Sequence, residues 1–418
     1  MSRTGETTPT RRNALRLLAD RRFGSYFLGR LLTATGTWLH SLVAAIAVFG
    51  LTGSATAVGL VSLVQFAPQL ILGPVSGKWS DRGSIKRQLM LGRGFSFVGS
   101  ASLAVWFALV GDATGWGSAS WVIGFSFIVG IGLVVGGPAM QSTVPLLVSR
   151  DELPAAMALN TTPITIGRVA GPALGAVVAA SIGYQYAFAI AAVCHLTFIA
   201  IVSMIAIPPP EGRVDGDNYA IRDGLSFVRN DRPTFRILLT VTALGFGSEP
   251  MITLAPSLGD ALGGGTHTVG ALTASMGIGA AVGTVLTAAL ATRIRQDAMS
   301  TIGVVLMAVG LGGCAAPIGT WLSMVAFGIT GFGFLVAVTC LSTVLQLRLP
   351  PVLRGRVMAL WLMGFVGARP VGALSIGALA DWTAVHIAFG AVAVAMFGAA
   401  WICRPSTLRG PSEATEST

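Results

Sequence analysis

The stretch GFGSEPMITLAP (245–256) carries one acid, Glu249, deep inside an apolar run. Two arginines are placed as deeply in runs of their own: Arg168 in ITIGRVAGPALG (164–175) and Arg369 in GARPVG (367–372). A carboxylate and two guanidiniums in a dry interior can hold a charged ligand, move a proton, or pair with each other. A carboxylate there holds or releases its proton according to whether a cation stands beside it. Glu249 is therefore the candidate proton carrier, and a fixed salt bridge to one of the arginines is the competing reading. The two arginines outnumber the single deep acid, and a guanidinium fork suits carboxylate, phosphate or catecholate geometry. The surplus charge favours an anionic or zwitterionic part of a substrate, unless the arginines serve only to knit the fold. His40 in TWLHSLV (37–43) is a candidate relay, with a hydrogen-bonded packing role as the alternative. Trp38, Gln65, Gln69 and Gln141 offer an aromatic wall and hydrogen bonds to a substrate.

Long apolar helices must hold these groups. Of the 418 residues, 53% are hydrophobic and 11% are charged, against about a quarter charged in soluble domains. The charges cluster between apolar runs long enough to cross a bilayer, where only helices satisfy their own backbone. Runs fall at about 24–49, 57–77, 88–111, 119–147, 154–181, 185–207, 235–259, 267–291, 299–317, 321–347, 354–380 and 384–403, twelve in all. The 54 glycines fit close packing of membrane helices. The expected architecture is an all-α polytopic membrane protein of twelve helices in two six-helix bundles. Its parts are a tail (1–22), a first bundle (23–207), a linker (208–234), a second bundle (235–404) and a second tail (405–418). Within the linker, AIRDGLSFVRN reads as a short amphipathic surface helix.

Of the 27 lysines and arginines, 23 lie in the tails and in one alternating set of loops; the other set holds none. That asymmetry places both termini in the cytoplasm. It also accounts for the net charge of +10 without a nucleic-acid partner. The remaining four are Arg30, Arg93, Arg168 and Arg369. Arg30 and Arg93 lie about 9 Å from the basic ends of their spans, within reach of snorkelling, and read as structural. Arg168 and Arg369 lie roughly 21 Å in, too deep to reach that surface. No cleavable signal peptide is expected, since residues 1–22 are polar and Arg-rich. The four cysteines fall in or beside apolar spans, so no disulfide framework is expected.

The two halves repeat. STV (142–144) matches STV (342–344), and MAL (157–159) matches MAL (358–360) at an offset of 201. The same offset carries Arg168 onto Arg369 and Gly171 onto Gly372, while TAVG (56–59) falls on HTVG (267–270). Paired repeats of this kind build alternating-access transporters with a site at the midplane.

GKWSDRGSIKRQ (77–88), after the second run, resembles the loop motif of the major facilitator superfamily. Gly77, Asp81, Arg82, Lys86 and Arg87 fit it, while Ser84 and Ile85 depart from it. With GRVAGPALG, IRDGLSFVRN and LRGRVMAL, the chain resembles the enterobactin-exporter-like, drug-efflux branch over about residues 22–405. The motif implies a conformational gate. Asp81 would sit against the positive N-terminal end of the eleventh span, near Leu353 to Arg356, and the basic residues would pair with nearby acids. The equivalent loop of the second half has Thr292 where Asp81 would fall, so the gate would be asymmetric. Gly167, Gly171, Pro172 and Gly175 resemble part of the antiporter pattern of the fifth span, implying helix packing and limited proton leak.

The resemblance implies a proton-coupled antiporter in a bacterial inner or plasma membrane. It would export a small amphipathic compound, such as a siderophore or drug, as a monomer. An uptake symporter, a lipid-type flippase, or a non-transporting receptor or scaffold are the alternatives. The sequence carries no P-loop, nucleophile elbow or metal-ligand cluster, so neither an enzyme nor a cofactor or bound metal is expected.

Overall fold

The computed structural model describes residues 17–408 except 83, 111–113, 150, 161, 209–220, 291–292 and 317–318. Side chains at 74–75, 77–82, 154, 158, 221–224, 351–352 and 354–355 also lie outside the description. The described residues form helices and no strand. In the first half these are α1 (Phe23–Thr52), α2 (Ala55–Arg82), α3 (Ile85–Val110), α4 (Gly115–Leu147), α5 (Leu153–Asn160), α6 (Thr162–Ser181) and α7 (Tyr184–Met204). The linker holds α8 (Ile221–Asn230). The second half has α9 (Arg232–Gly247), α10 (Pro250–Thr253), α11 (Ala255–Ala261), α12 (Gly265–Leu290), α13 (Gln296–Cys314), α14 (Gly319–Arg348), α15 (Pro351–Trp382), α16 (Val385–Ile402) and α17 (Pro405–Leu408). Among the described residues eleven helices are long and apolar enough to cross a membrane, and the bent unit α9–α11, taken as one span, is a twelfth.

That unit is bent by 43°. Pro250 and Pro256 stand at the starts of α10 and α11, where the missing N–H costs no helical hydrogen bond. Ser248 closes the end of α9 by donating from Oγ to the Gly245 carbonyl at 2.8 Å. Glu249 sits at this junction, as its flanking prolines and glycines suggested.

The repeat is visible in the packing. α1 lies against α6 as α9 lies against α15, and the halves meet through α2 with α15 and α12 with α6. Each half starts with an aspartate that accepts backbone hydrogen bonds. Asp20 Oδ1 takes Arg22 and Phe23 N–H at 2.8 and 2.9 Å, and Asp231 Oδ2 takes Thr234 N–H at 3.1 Å. Asp231 also pairs with Arg348 at 3.1 Å. Burial alone would raise its carboxyl pKa, but the bonds from Arg348 and Thr234 outweigh it and hold the value below the ordinary one.

Small residues set the helix spacing. A Cβ on Gly171 would sit 2.6 Å from the Thr35 carbonyl oxygen, and one on Gly167 would sit 2.8 Å from Ala34. On Gly175 it would meet Leu39 and Val43 at 3.0 Å. These glycines, spaced four apart, form the groove of α6 that receives α1. At the end opposite the basic loops the halves are latched. Asp381, at the end of α15, accepts from Ser54 Oγ (2.6 Å), Ala55 N–H (2.8 Å) and Thr56 N–H (2.9 Å). It thereby caps the positive N-terminus of α2 from the other half.

α2 runs through Arg82, well past the expected end near residue 77, and α3 starts at Ile85. Gly77, Asp81 and Arg82 therefore lie in the last turns of a helix and not in a loop. The linker helix runs over Ile221–Asn230 as expected, with Val228 buried and Leu225 exposed.

Candidate substrate site between the two halves

The repeat brings one arginine from each half to the same indole. On α6, the Arg168 guanidinium lies 4.5 Å from the centroid of Trp38 on α1 and 5.5 Å from that of Phe334 on α14. On α15, the Arg369 guanidinium lies 5.8 Å from Trp38 and 4.3 Å from Phe66 on α2. Each ring offers its negative face to a cation. Arg369 also donates from Nε to Glu249 Oε1 at 2.5 Å, with Glu249 fully buried. The offset of 211 that relates TAVG to HTVG also carries Trp38 onto Glu249. The two arginines thus face repeat-related partners, an indole in one half and a carboxylate in the other.

Glu249 is only half engaged. Its Oε2 is buried without a hydrogen-bond partner, as are Thr253 Oγ1 and Ser257 Oγ at successive intervals of four along the bent span. No described carboxylate pairs with Arg168, so the centre carries one surplus positive charge. Trp38, Arg168, Arg369, Pro172, Ser248 and Phe334 are among the residues lining a cavity of about 40 Å³ there.

A wider cavity of about 220 Å³ adjoins it on the basic side and shares Trp38 and Ser41 with it. Gln69 and Gln141 line this cavity, and so do Arg30 and Arg93. The last two do not snorkel. Both are buried, and their heads turn inward to one residue of α4. Arg30 Nη1 donates to the Met140 carbonyl at 3.2 Å and to Asn160 Oδ1, while Arg93 Nη2 lies 3.0 Å from Met140 Sδ. Their depth, legible from the sequence, does not say which way they turn.

Other candidates stand apart. Gln65 is buried and exchanges hydrogen bonds of 2.8 and 3.0 Å with Ser41, so its amide is already occupied. His40 is fully buried, with Ser100 at 3.0 Å from Nδ1, Ser126 at 3.3 Å from Nε2 and Phe188 against its ring. It lines neither cavity. In the gate motif, Lys86 pairs with no acid among the described residues; its Nζ donates to the Ser203 and Ile205 carbonyls (2.6 and 3.0 Å) at the end of α7. Arg87 is exposed. The side chains of Asp81 and Arg82, and those at 354–355 within the expected seat of Asp81 on α15, lie outside the description. No group of three or more potential metal ligands occurs among the described residues.

The transmembrane secretion effector family matches residues 13–418 of this sequence. The chain belongs to that family. Among curated relatives of this secretion-effector chain are the enterobactin exporters EntS of Escherichia coli and Shigella boydii. They are 26% and 27% identical over 366 residues, covering 85% of each chain. In fold it is similar to a bacterial homologue of the human lysosomal transporter Spinster in an inward-facing, unoccupied conformation. The TM-score is 0.73 at 13% identity, covering 95% of this chain and 99% of that one. A bacterial homologue of the iron transporter ferroportin, in an inward-facing state, gives 0.71 at 16%, covering 95% and 100%. The chain is a multi-span membrane transporter of the major facilitator type.

Proposed function

We propose that this transporter is a proton-coupled antiporter of a bacterial inner or plasma membrane. In this reading it exports a small amphipathic compound with an anionic part, such as a siderophore or drug, by alternating access. The observation that carries the reading is the unequal pairing of the two central arginines. Arg369 is neutralised by Glu249, while Arg168 keeps its charge over Trp38 beside the cavity. An arriving anion finds Arg168 free to bind it. It also competes with Glu249 for Arg369, and a carboxylate that loses its cation in a dry site takes up a proton. Substrate binding and protonation of Glu249 are thereby linked through one guanidinium, which is what coupling to a proton gradient requires. Linkage of this sign loads both together, as a symporter would, so the antiport direction rests on the relatives' export role. The latch at Asp381 on one side and the wider cavity on the basic side fit a state that receives substrate from the cytoplasm, with the termini on that side. The relatives' role in enterobactin export supports the direction and the substrate class.

The test is accumulation in proteoliposomes under an imposed pH gradient. Glu249→Gln removes the titrating group and keeps its shape, so gradient-driven transport is lost while downhill exchange persists. Gradient-driven accumulation at the wild-type level would refute Glu249 as the coupling acid.

A further inference from the structure

We propose that Arg30 and Arg93 form a second anion-binding subsite, on the basic side of Trp38, which takes an acidic group of the transported molecule. The proposal deepens the reading above and rests on it. Buried guanidiniums are costly, and each needs a counter-charge or a full set of acceptors. Arg30 and Arg93 are 3% and 5% exposed, and both converge on Met140. Neither forms an ion pair with a carboxylate among the described residues. Met140 supplies a carbonyl and a thioether, and Asn160 supplies an amide oxygen; all three are neutral. Arg30 Nε, Arg93 Nε and Arg93 Nη1 are left without any acceptor. Two cations and three idle donors thus stand together beside a cavity that holds no opposing charge of its own.

The cavity has the chemistry of an acidic aromatic or amphipathic ligand. Its wall includes Trp38 and Phe66, and Thr37, Gln69 and Gln141 supply neutral polar groups. Arg30 and Trp38 lie on one helix, eight residues or about 12 Å apart along its axis. That spacing separates this subsite from the Arg168 site by roughly the length of a small drug-like molecule. A substrate with two acidic groups spans both, and one with a single acidic group occupies them in turn. The structural alternative is that Arg30 and Arg93 merely tie α1 and α3 to α4.

The experiment is calorimetric titration of the full-length protein in phosphatidylcholine nanodiscs, with salicylate and with its uncharged counterpart salicylamide. Wild type should bind salicylate at two classes of site and salicylamide at least about tenfold more weakly, the loss expected for a hydrogen bond to a charged group. Arg93→Gln and Arg30→Gln should each abolish one class, with Arg93→Lys restoring part of it. Arg168→Gln should abolish the other class only. Melting temperatures are recorded for each variant, and Arg30→Gln serves alone if Arg93→Gln does not fold. If both variants keep both classes, the arginines are packing elements and the proposal fails while the central site stands. Equal affinity for salicylamide overturns it as well. If phosphatidylglycerol competes the Arg93-dependent class away, the anion is a lipid headgroup, and the substrate subsite is likewise overturned. Loss of only the Arg168-dependent class in wild type would count against the central reading and leave this one standing.

Discussion

Arg168 and Arg369 hold equivalent places in the two halves, yet one lies over an indole and the other grips a carboxylate. The helices that carry them pack alike, each against the first span of its own half. The difference lies in one residue of that first span: Trp38 in the first half, Glu249 in the second. A ring face draws a cation by roughly 0.5–2 kcal/mol and leaves its charge uncancelled. A buried carboxylate cancels it. Two copies of one scaffold have thus been given different charge states, which lets one arginine receive an anion while the other is exchanged between Glu249 and the ligand.

The largest effect should come from breaking the charged half. Arg369→Leu strands Glu249 in a fully buried place and should destabilise the protein by about 3–5 kcal/mol. Adding Glu249→Leu should return most of that stability without returning transport. Reversible unfolding in mixed micelles measures both, and a double variant no more stable than the single would show that the pair's burial is not the cause.

Converting the first half to the second is the next test. Trp38→Glu should give Arg168 an ion pair and erase the surplus charge. Placing like charges together costs several kcal/mol, so affinity for an anionic substrate should fall by at least about tenfold. Wild-type affinity in a folded variant would mean that Arg168 does not read the anion.

The smallest effect should come from the glycines behind the arginines. On Gly171 a new Cβ meets backbone of α1 at 2.6 Å, whereas on Gly372 it meets the ring and backbone of Phe246 no nearer than 3.1 Å. The shorter contact forces backbone to shift and the longer one asks for much less, so Gly171→Ala should cost about 1–3 kcal/mol, in the range of overpacking, and Gly372→Ala less. Melting temperatures in the opposite order would break the comparison.

Much of this was legible from the sequence. Apolar run length gave twelve spans, and depth along a run marked Arg168, Arg369 and Glu249 as unable to reach the basic surface. The flanking Pro250 and Pro256 announced the bend beside Glu249. The offset of 201 between repeats places the two arginines as twins, and the offset of 211 between the first spans makes Trp38 and Glu249 counterparts. The latch residue Asp381 was missed, since an aspartate at a span end reads as an ordinary boundary residue. Its partners are more than 300 residues away in the chain.

The sequence by itself determined the fold class, the two-fold plan and the depth of every ionisable group. These follow from local composition and from the fixed rise of a helix. Tertiary structure decided the azimuth, meaning which neighbour each side chain meets around its helix. It turned Arg30 and Arg93 onto Met140 instead of toward the surface, occupied Gln65 with Ser41, enclosed His40 between two serines, and gave Arg369 rather than Arg168 the only deep acid. Those choices depend on how distant helices pack, and a carboxylate within 2.5 Å of one guanidinium is a property of that packing alone.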